Sequence, residues 1–352
     1  MKLHPGSHNH DLSQYLYELI KNNRPSKSFS YIHDSFEFVK KITGIQNSSD
    51  QIRVNFDVDN LYTNVPVHEA IEITLDMLFK RPTPPPRPFT RPQLKRLLEI
   101  AVCDIPFRFL DKIYIQIDGV AMGSPLGPIL ADLFMSNIEQ KLNKFSANKP
   151  LVWIRCVDDI FCIFKKQQNI NDFLMRINKW HPNVEFTIER ECNEKLAFLD
   201  VLISRDNINN KYNTTIYRKP TNTNLYLLYE SNQCREYKIG LIRTLIIRIL
   251  LICSTEELKN DELKLMKETL MMNGYPQHLI KRGVREGEII TRRMISKRQQ
   301  VQESMKKKEV YFLLCYYGQE STILAQRIKR ICKKLIPSLQ INICFRKTFT
   351  IK

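Results

Sequence analysis

Apolar residues recur at helical spacing in residues 11–22, DLSQYLYELIKN, behind an aspartate able to cap the first turn, and a second helix is expected over 30–43. Residues 51–57, QIRVNFD, alternate with period two, which predicts a half-buried strand ending on the carboxylate of Asp57. The VDNLYTNVP that follows is too rich in Asn, Thr and Pro to continue it. A helix over 67–79 follows Pro66, with apolar positions at Ala70, Ile71, Leu75, Leu78 and Phe79. Residues 81–92, RPTPPPRPFTRP, predict a surface loop, because proline removes donors and fixes φ. A helix over 93–103 and a hairpin of strands 107–109 and 113–117 lead into a glycine-rich loop, GVAMGSPLGP at 119–128, and then a helix over 129–145. In residues 154–164, IRCVDDIFCIF, two short apolar runs flank Asp158 and Asp159, which predicts strand, turn and strand with both carboxylates on the turn. A helix over 171–180 and strands over 184–189 and 196–203 complete this region. Residues 224–298 are mainly helical by period, and YFLLCYYG at 311–318 reads as a strand entering a helix over 321–335.

Charge adds a partner class to this α+β pattern. Of 352 residues, 54 are Lys or Arg and 37 Asp or Glu, a formal net charge of +17, which suits a polyanion such as nucleic acid. The excess is concentrated after residue 275, where 18 basic residues face 5 acidic ones. KRGVREGEII, TRRMISKR and KKK there read as a nucleic-acid track. Nine scattered cysteines without a CxxC pair fit neither a disulfide framework nor a zinc knuckle, and suit a reducing, intracellular compartment. The longest apolar run, 241–253, is interrupted by Arg243 and Arg248, so no membrane span is expected. His8 and His10 form an HxH pair with no further ligands nearby and receive no role.

Two adjacent carboxylates between buried strands repel each other unless a cation neutralises them, and oxygen-only ligands favour a hard ion such as Mg²⁺. A third carboxylate is therefore expected, and Asp57, at a strand's C-terminal end, is the candidate. The glycine-rich loop before a helix offers a backbone surface that can approach a base or phosphate closely. It is neither a Walker A loop nor GxGxxG.

FDVDNLYTNVP, DGVAMGSPLGP, CVDDIF and AFLDVLI, in this order, resemble motifs A, B, C and E of a reverse transcriptase. GVAMGSPL, FLDVLI, IYRKPTNT at 216–223 and IGLIRTL at 239–245 most resemble Penelope-like retroelements, over residues 11–345. The resemblance implies an α+β fold, a right-hand polymerase palm with a ferredoxin-like antiparallel sheet and helices, followed by a helical thumb. It divides the chain into a helical remnant of the fingers at 1–50, palm at 51–223, thumb at 224–305 and a basic connector at 306–352. It implies an RNA-directed DNA polymerase, intracellular and nuclear, that extends a DNA primer on an RNA template with dNTPs, using two Mg²⁺ ions or Mn²⁺ in their place.

By the same resemblance Asp57, Asp158 and Asp159 are catalytic and hold the metals together with the Val58 carbonyl. Asn60, Leu61, Tyr62, Met122 and Gly123 contact the dNTP, Tyr62 as the gate against a ribose 2′-OH, with Ser124 and Pro125 beside them. Lys195 is the candidate general acid for pyrophosphate, and Arg218, Lys219, Arg243, Arg282, Arg292 and Arg293 the nucleic-acid contacts. Cys156 stands where relatives carry an aromatic. The upstream finger strands are expected before residue 1, and nothing after Val310 supplies the tyrosine motifs of a GIY-YIG endonuclease. The competing reading is a catalytically silent nucleic-acid-binding remnant of such a polymerase.

Overall fold

The chain is a computed structural model and the structure describes residues 8–24, 30–80, 88–121, 123–144, 148–306, 308–316, 319–335 and 339–347. It opens with helices α1 (His8–Asn23) and α2 (Ser35–Ile42). The second starts later than the expected residue 30 because Asp34 caps it, accepting from the Glu37 N–H at 2.8 Å. Strand β1 (Gln51–Val58) is followed by a single turn, α3 (Leu61–Asn64), and by α4 (Val67–Phe79). Of the proline-rich loop, residues 81–87 lie outside the described residues. Its end is helical after all: Thr90 and Gln93 form a capping box for α5 (Arg91–Val102), with Pro92 in the first turn, where a missing N–H costs nothing. Strands β2 (Pro106–Phe109) and β3 (Lys112–Ile115) pair as a hairpin, and α6 (Gly127–Glu139) gives way to a 3₁₀ turn at Gln140–Lys144 rather than running to 145.

Strands β4 (Val152–Cys156) and β5 (Asp159–Lys165), helix α7 (Ile170–Ile177) and strand β6 (Phe186–Arg190) complete a four-stranded sheet of order β4-β5-β1-β6, antiparallel throughout. The continuous apolar run of β5 has a plain cause, since both of its faces are buried. Ile160, Cys162 and Phe164 join the core under the helices, while Phe161 and Ile163 join a second core on the other side. Strand β1 divides differently. Val54, Phe56 and Val58 lie in the helical core, so Arg53, Asn55 and Asp57 line the opposite face.

Residues 196–203, expected as one strand, fold as a hairpin of β7 (Lys195–Phe198) and β8 (Val201–Asp206), to which β9 (Lys211–Ile216) adds a third strand that the sequence reading lacked. The turn, Leu199–Asp200, carries no Gly, Asn or Pro to announce it, yet Leu199 takes φ 56°. This sheet packs with α2 around Phe38, Phe161, Phe198, Val201 and Ile203. Arg53, with a fully buried side chain, links it to the four-stranded sheet. Its guanidinium donates to Glu191 and to the Glu194 carbonyl at 2.8 Å, and lies 5.2 Å over the Tyr212 ring. Arg205 grips the same carboxylate at 2.5 Å.

These elements belong to a first compact unit, Met1–Thr223 with Leu251–Lys264; Asn224–Leu250 and Leu265–Lys352 make a second. The remaining helices are α8 (Arg235–Ile252), α9 (Glu256–Met272) and α10 (Gln277–Lys306), and a parallel strand pair, β10 (Lys308–Tyr316) and β11 (Leu339–Lys347), is joined through α11 (Gln319–Leu335). The turn from α9 into α10 is fixed by side chains. Asn273 accepts from the Tyr226 N–H and donates to the Asn224 carbonyl, Gly274 takes φ 83°, and the Tyr275 hydroxyl donates to the Leu227 carbonyl at 2.8 Å. Within KRGVREGEII, Gly283 and Gly287 lie one turn apart and let α10 approach Ile242 and Ile246 of α8. A Cβ at Gly283 would stand 2.8 Å from Cβ of Ile242. Gly283→Ala is expected to lower the protein's stability by about 1 kcal/mol or more, overpacking outweighing the helix-propensity gain. An unchanged thermal melting curve would contradict this packing.

Candidate polymerase site

The register brings the acidic residues together. Phe56 pairs with Ile160, so one step further Asp57 stands across from Asp159, on the face that also carries Arg53 and Asn55. Cys156 pairs with Asp159, which leaves Val157 and Asp158 as a two-residue turn. The expectation of both aspartates on the turn is thus corrected: Asp158 is at its apex and Asp159 opens β5. Val157 takes φ 58°. For a β-branched residue that is strained backbone, costing about 1–3 kcal/mol, and such strain persists only where the surroundings fix it.

The charges at the turn raise the carboxyls of Asp159 and Asp57. Burial and then the charges of Asp158 and Asp57 push the Asp159 carboxyl up to about 6, with the Lys219 ammonium opposing them. Asp57 is raised by partial burial and by Asp158 and Asp59. Burial and the same pair, Asp159 and Asp158, push the Cys156 thiol up to about 11, which keeps it protonated at neutral pH.

Asn60, in the left-handed region at φ 47°, starts the turn after β1 and places Leu61 in the core and Tyr62 half-buried. The glycine-rich loop is fastened to this turn. Val120 N–H donates to the Tyr62 carbonyl at 2.7 Å, and Asp118 accepts from Val67 N–H and Gly119 N–H at 3.1 and 2.8 Å. Gly119 is required here, since at φ 80° a Cβ would stand 2.5 Å from the Thr63 carbonyl oxygen. Gly127 faces the Tyr62 ring, which a Cβ would meet at 3.8 Å. Burial, then the charges of Asp158 and Asp132, raise the Tyr62 phenol. Gly123 is an exposed turn residue at φ 93°, Ser124 is buried, and Met122 lies outside the described residues.

Sequence reasoning missed a buried ion network under the turn. Arg155, on β4, has a side chain 1% exposed. It donates to Glu139 and Asp132 of α6 at 2.8 and 2.9 Å. Asp132 also receives Arg24 at 2.6 Å. Burial alone would lower the Arg155 pKa, but the Glu139 and Asp132 carboxylates hold it above its ordinary value. The only sequence signal was an arginine inside an apolar strand run, which needs a buried partner.

Other expected contacts lie elsewhere. Lys195 is exposed at the start of β7, and the cation whose charge reaches Asp159 is Lys219. Arg218 is held by Glu262 at 3.0 and 2.6 Å in a two-point pair, so its planar fork is already occupied. In the second unit Arg243 and Arg282 share Glu286, at 2.6 and 2.7 Å, while Arg292 and Arg293 are exposed on α10.

The donor set offered by Asp57, Asp158, Asp159 and the Val58 carbonyl is oxygen alone, which fits a hard divalent ion. Among the described residues no three His, Cys, Asp or Glu side chains close into a single coordination shell. Mg²⁺ does not require one, because it is held by one or two carboxylates, water and substrate phosphates.

Residues 9–203, more than half the chain, match the family model described as reverse transcriptase (RNA-dependent DNA polymerase). The chain belongs to the reverse transcriptase family. Residues 225–285, beyond the reverse transcriptase domain and within the segment expected as a thumb, match an animal helix-turn-helix domain. A search of curated protein sequences finds no match. Among solved structures, telomerase from Candida albicans in complex with a TWJ fragment of telomeric RNA superposes with a TM-score of 0.52 at 13% identity, over 77% of this chain and 47% of that one. This chain therefore spans about half the length of that telomerase. The RNA-dependent RNA polymerase 3Dpol of Sicinivirus gives a TM-score of 0.45 at 10% identity, over 72% of this chain and 54% of that one. The fold is a polymerase fold of mixed helix and sheet. No helix among the described residues is long and apolar enough to cross a membrane.

Proposed function

We propose that the chain is the RNA-directed DNA polymerase of a Penelope-like retroelement, with its palm over 51–223 and its thumb over 224–305. The observation that carries the reading is the meeting of Asp57, near the C-terminal end of β1, with Asp158 and Asp159 of the neighbouring hairpin, where the charges of Asp57 and Asp158 raise the Asp159 carboxyl and that of Asp158 raises Asp57. Acidic groups held in mutual repulsion at a strand edge are poised for a cation. Asp57 and Asp158 would hold two Mg²⁺ ions, with Asp159 and the Val58 carbonyl in support. Bound there, the ions would lower the pKa of the primer 3′-OH and neutralise the triphosphate.

The chain's own residues do the rest. The turn from Asn60 to Tyr62 and the loop around Gly123 form one fastened surface for the incoming nucleotide, through the Val120–Tyr62 and Val67–Asp118 hydrogen bonds. The Tyr62 ring, backed by Gly127, closes the space a ribose 2′-OH would enter. Lys219, whose charge lowers the Asp159 carboxyl against the other causes, and Lys195 are the two candidates for protonating pyrophosphate. Arg292 and Arg293 face solvent on α10, as contacts to an RNA–DNA backbone require.

Tyr62→Ala is expected to raise ribonucleotide incorporation relative to dNTP by about tenfold or more, because a steric wall is removed while the metal ligands stay. Single-nucleotide extension of a DNA primer on an RNA template, with each nucleotide type in turn, measures it. A variant that discriminates as well as the parent would remove Tyr62 from the dNTP site, and the dNTP pose with it.

A further inference from the structure

The polymerase reading makes no use of Arg155, yet four donor contacts converge from it on the catalytic hairpin and its neighbour. Nε donates to Glu139 at 2.8 Å, one terminal nitrogen to Asp132 at 2.9 Å and to the Ser136 hydroxyl at 3.1 Å, and the other to the Val157 carbonyl at 3.0 Å. Asp132, Ser136 and Glu139 recur at helical spacing on α6, the helix that the glycine-rich loop opens. The Val157 carbonyl belongs to the peptide that continues into Asp158. Its residue is the strained one, at φ 58°.

More contacts stiffen the same point. Trp153 donates to the Glu139 carboxylate at 2.8 Å, and Arg24 to the far oxygen of Asp132. The backbone of residues 30–32 runs beside β4, with Arg155 N–H on the Ser30 carbonyl at 2.8 Å and Ile32 N–H on the Arg155 carbonyl at 2.9 Å. The Arg155 guanidinium itself lies 5.3 Å over the Tyr31 ring. Only a planar fork with donors in several directions can reach a helix on one side and a turn carbonyl on the other; an ammonium cannot.

We propose that Arg155 is a positioning residue. It clamps the Val157–Asp158 peptide in its unfavourable conformation and ties it to α6, so that the Asp158 carboxylate and the glycine-rich loop hold one fixed spacing. The inference rests on the polymerase reading for what that spacing serves, and on the hydrogen bonds alone for the clamp.

The test uses the full chain with Arg155→Lys, Val157→Gly and the double variant, read first by Mn²⁺ binding in the absence of nucleotide and then by kcat, dNTP KM and primer–template Kd. Arg155→Lys is expected to weaken Mn²⁺ binding and lower kcat by about 10–100-fold, the cost of losing an outer-shell partner. The dNTP KM and duplex Kd should move by less than about threefold, since neither contact is lost. Glycine adopts φ 58° without a Cβ penalty, so adding Val157→Gly should return about fivefold or more of the loss. A merely structural arginine would lower the melting temperature, and a glycine at the turn would not restore metal binding.

Unchanged Mn²⁺ binding in Arg155→Lys, a loss that Val157→Gly leaves untouched, or no Mn²⁺ binding by the parent would each overturn the proposal. If Arg155→Lys does not fold, Asp132→Asn, which loosens the α6 end of the clamp, is expected to weaken Mn²⁺ binding in the same sense, and its failure to do so overturns the proposal equally. A parent that binds Mn²⁺ but extends no primer would refute the polymerase reading while the Mn²⁺ series still decides the clamp.

Discussion

Asp158→Asn is expected to reduce primer extension by about a thousandfold or more, because a metal ligand at the reacting oxygens is worth several kcal/mol of transition-state stabilisation. The same variant should fold. Asp158 stands at a turn apex and is not buried, and its charge is one of those that raise Asp57 and Asp159. Removing it relieves like-charge repulsion, so the metal-free variant should melt no lower than the parent. Saturating Mg²⁺ should then raise the parent's melting temperature, by linkage, and leave that of the variant nearly unchanged. Loss of activity with a collapsed melting curve would instead mark Asp158 as structural. Extension at the parent's rate would remove it from the site.

Glu191→Ala is expected to cost about 3–5 kcal/mol of stability, as breaking a buried pair does when one partner is left charged inside. Arg53 has no exposed side-chain surface, and Arg205, 7% exposed, would lose the same partner. The two carbonyls that Arg53 also reaches, Glu194 and Ile203, accept hydrogen bonds but carry no neutralising charge. Burial by itself would raise the Glu191 carboxyl, but the hydrogen bonds and charges of Arg205 and Arg53 hold it below its usual value. A depressed folded pKa contributes stability that is present above the unfolded value, about 4.3, and is lost as pH falls through the folded value. The gap between parent and variant in denaturant melts should therefore narrow in acid. A gap that is small at pH 7, or that widens as pH falls, would show that the two sheets are not joined through this pair.

The legible parts of the chain were those where side-chain period and burial coincide. The strand β1 showed itself because Val54 and Phe56 face one core while Arg53, Asn55 and Asp57 face the other side, and β5 because both its faces are covered. Asp57, Asp158 and Asp159 came from the same pattern, as carboxylates that interrupt apolar strands. What the sequence hid were features set by distant partners. The turn at Leu199–Asp200 has Asp200 as its single turn former, while the positive φ falls on Leu199 between the paired β7 and β8, a residue type that signals no turn. Arg24, Asp132, Glu139 and Arg155 are separated by up to 131 positions, and nothing local says that they meet. Gly283 and Gly287 read as interruptions in a basic run, while their use is close packing against α8. Arg218 and Arg282 looked like phosphate contacts because the carboxylates they pair with, Glu262 and Glu286, look equally unremarkable in sequence.

The most direct test of the central claim is extension of a DNA primer on an RNA template by the full chain with Mg²⁺ and dNTPs. The account predicts templated DNA product from the parent, none from Asp158→Asn, and equal, salt-sensitive duplex binding by both. Salt-sensitive binding without any product from the parent would contradict it, and would make the chain a silent nucleic-acid-binding relative of the polymerases.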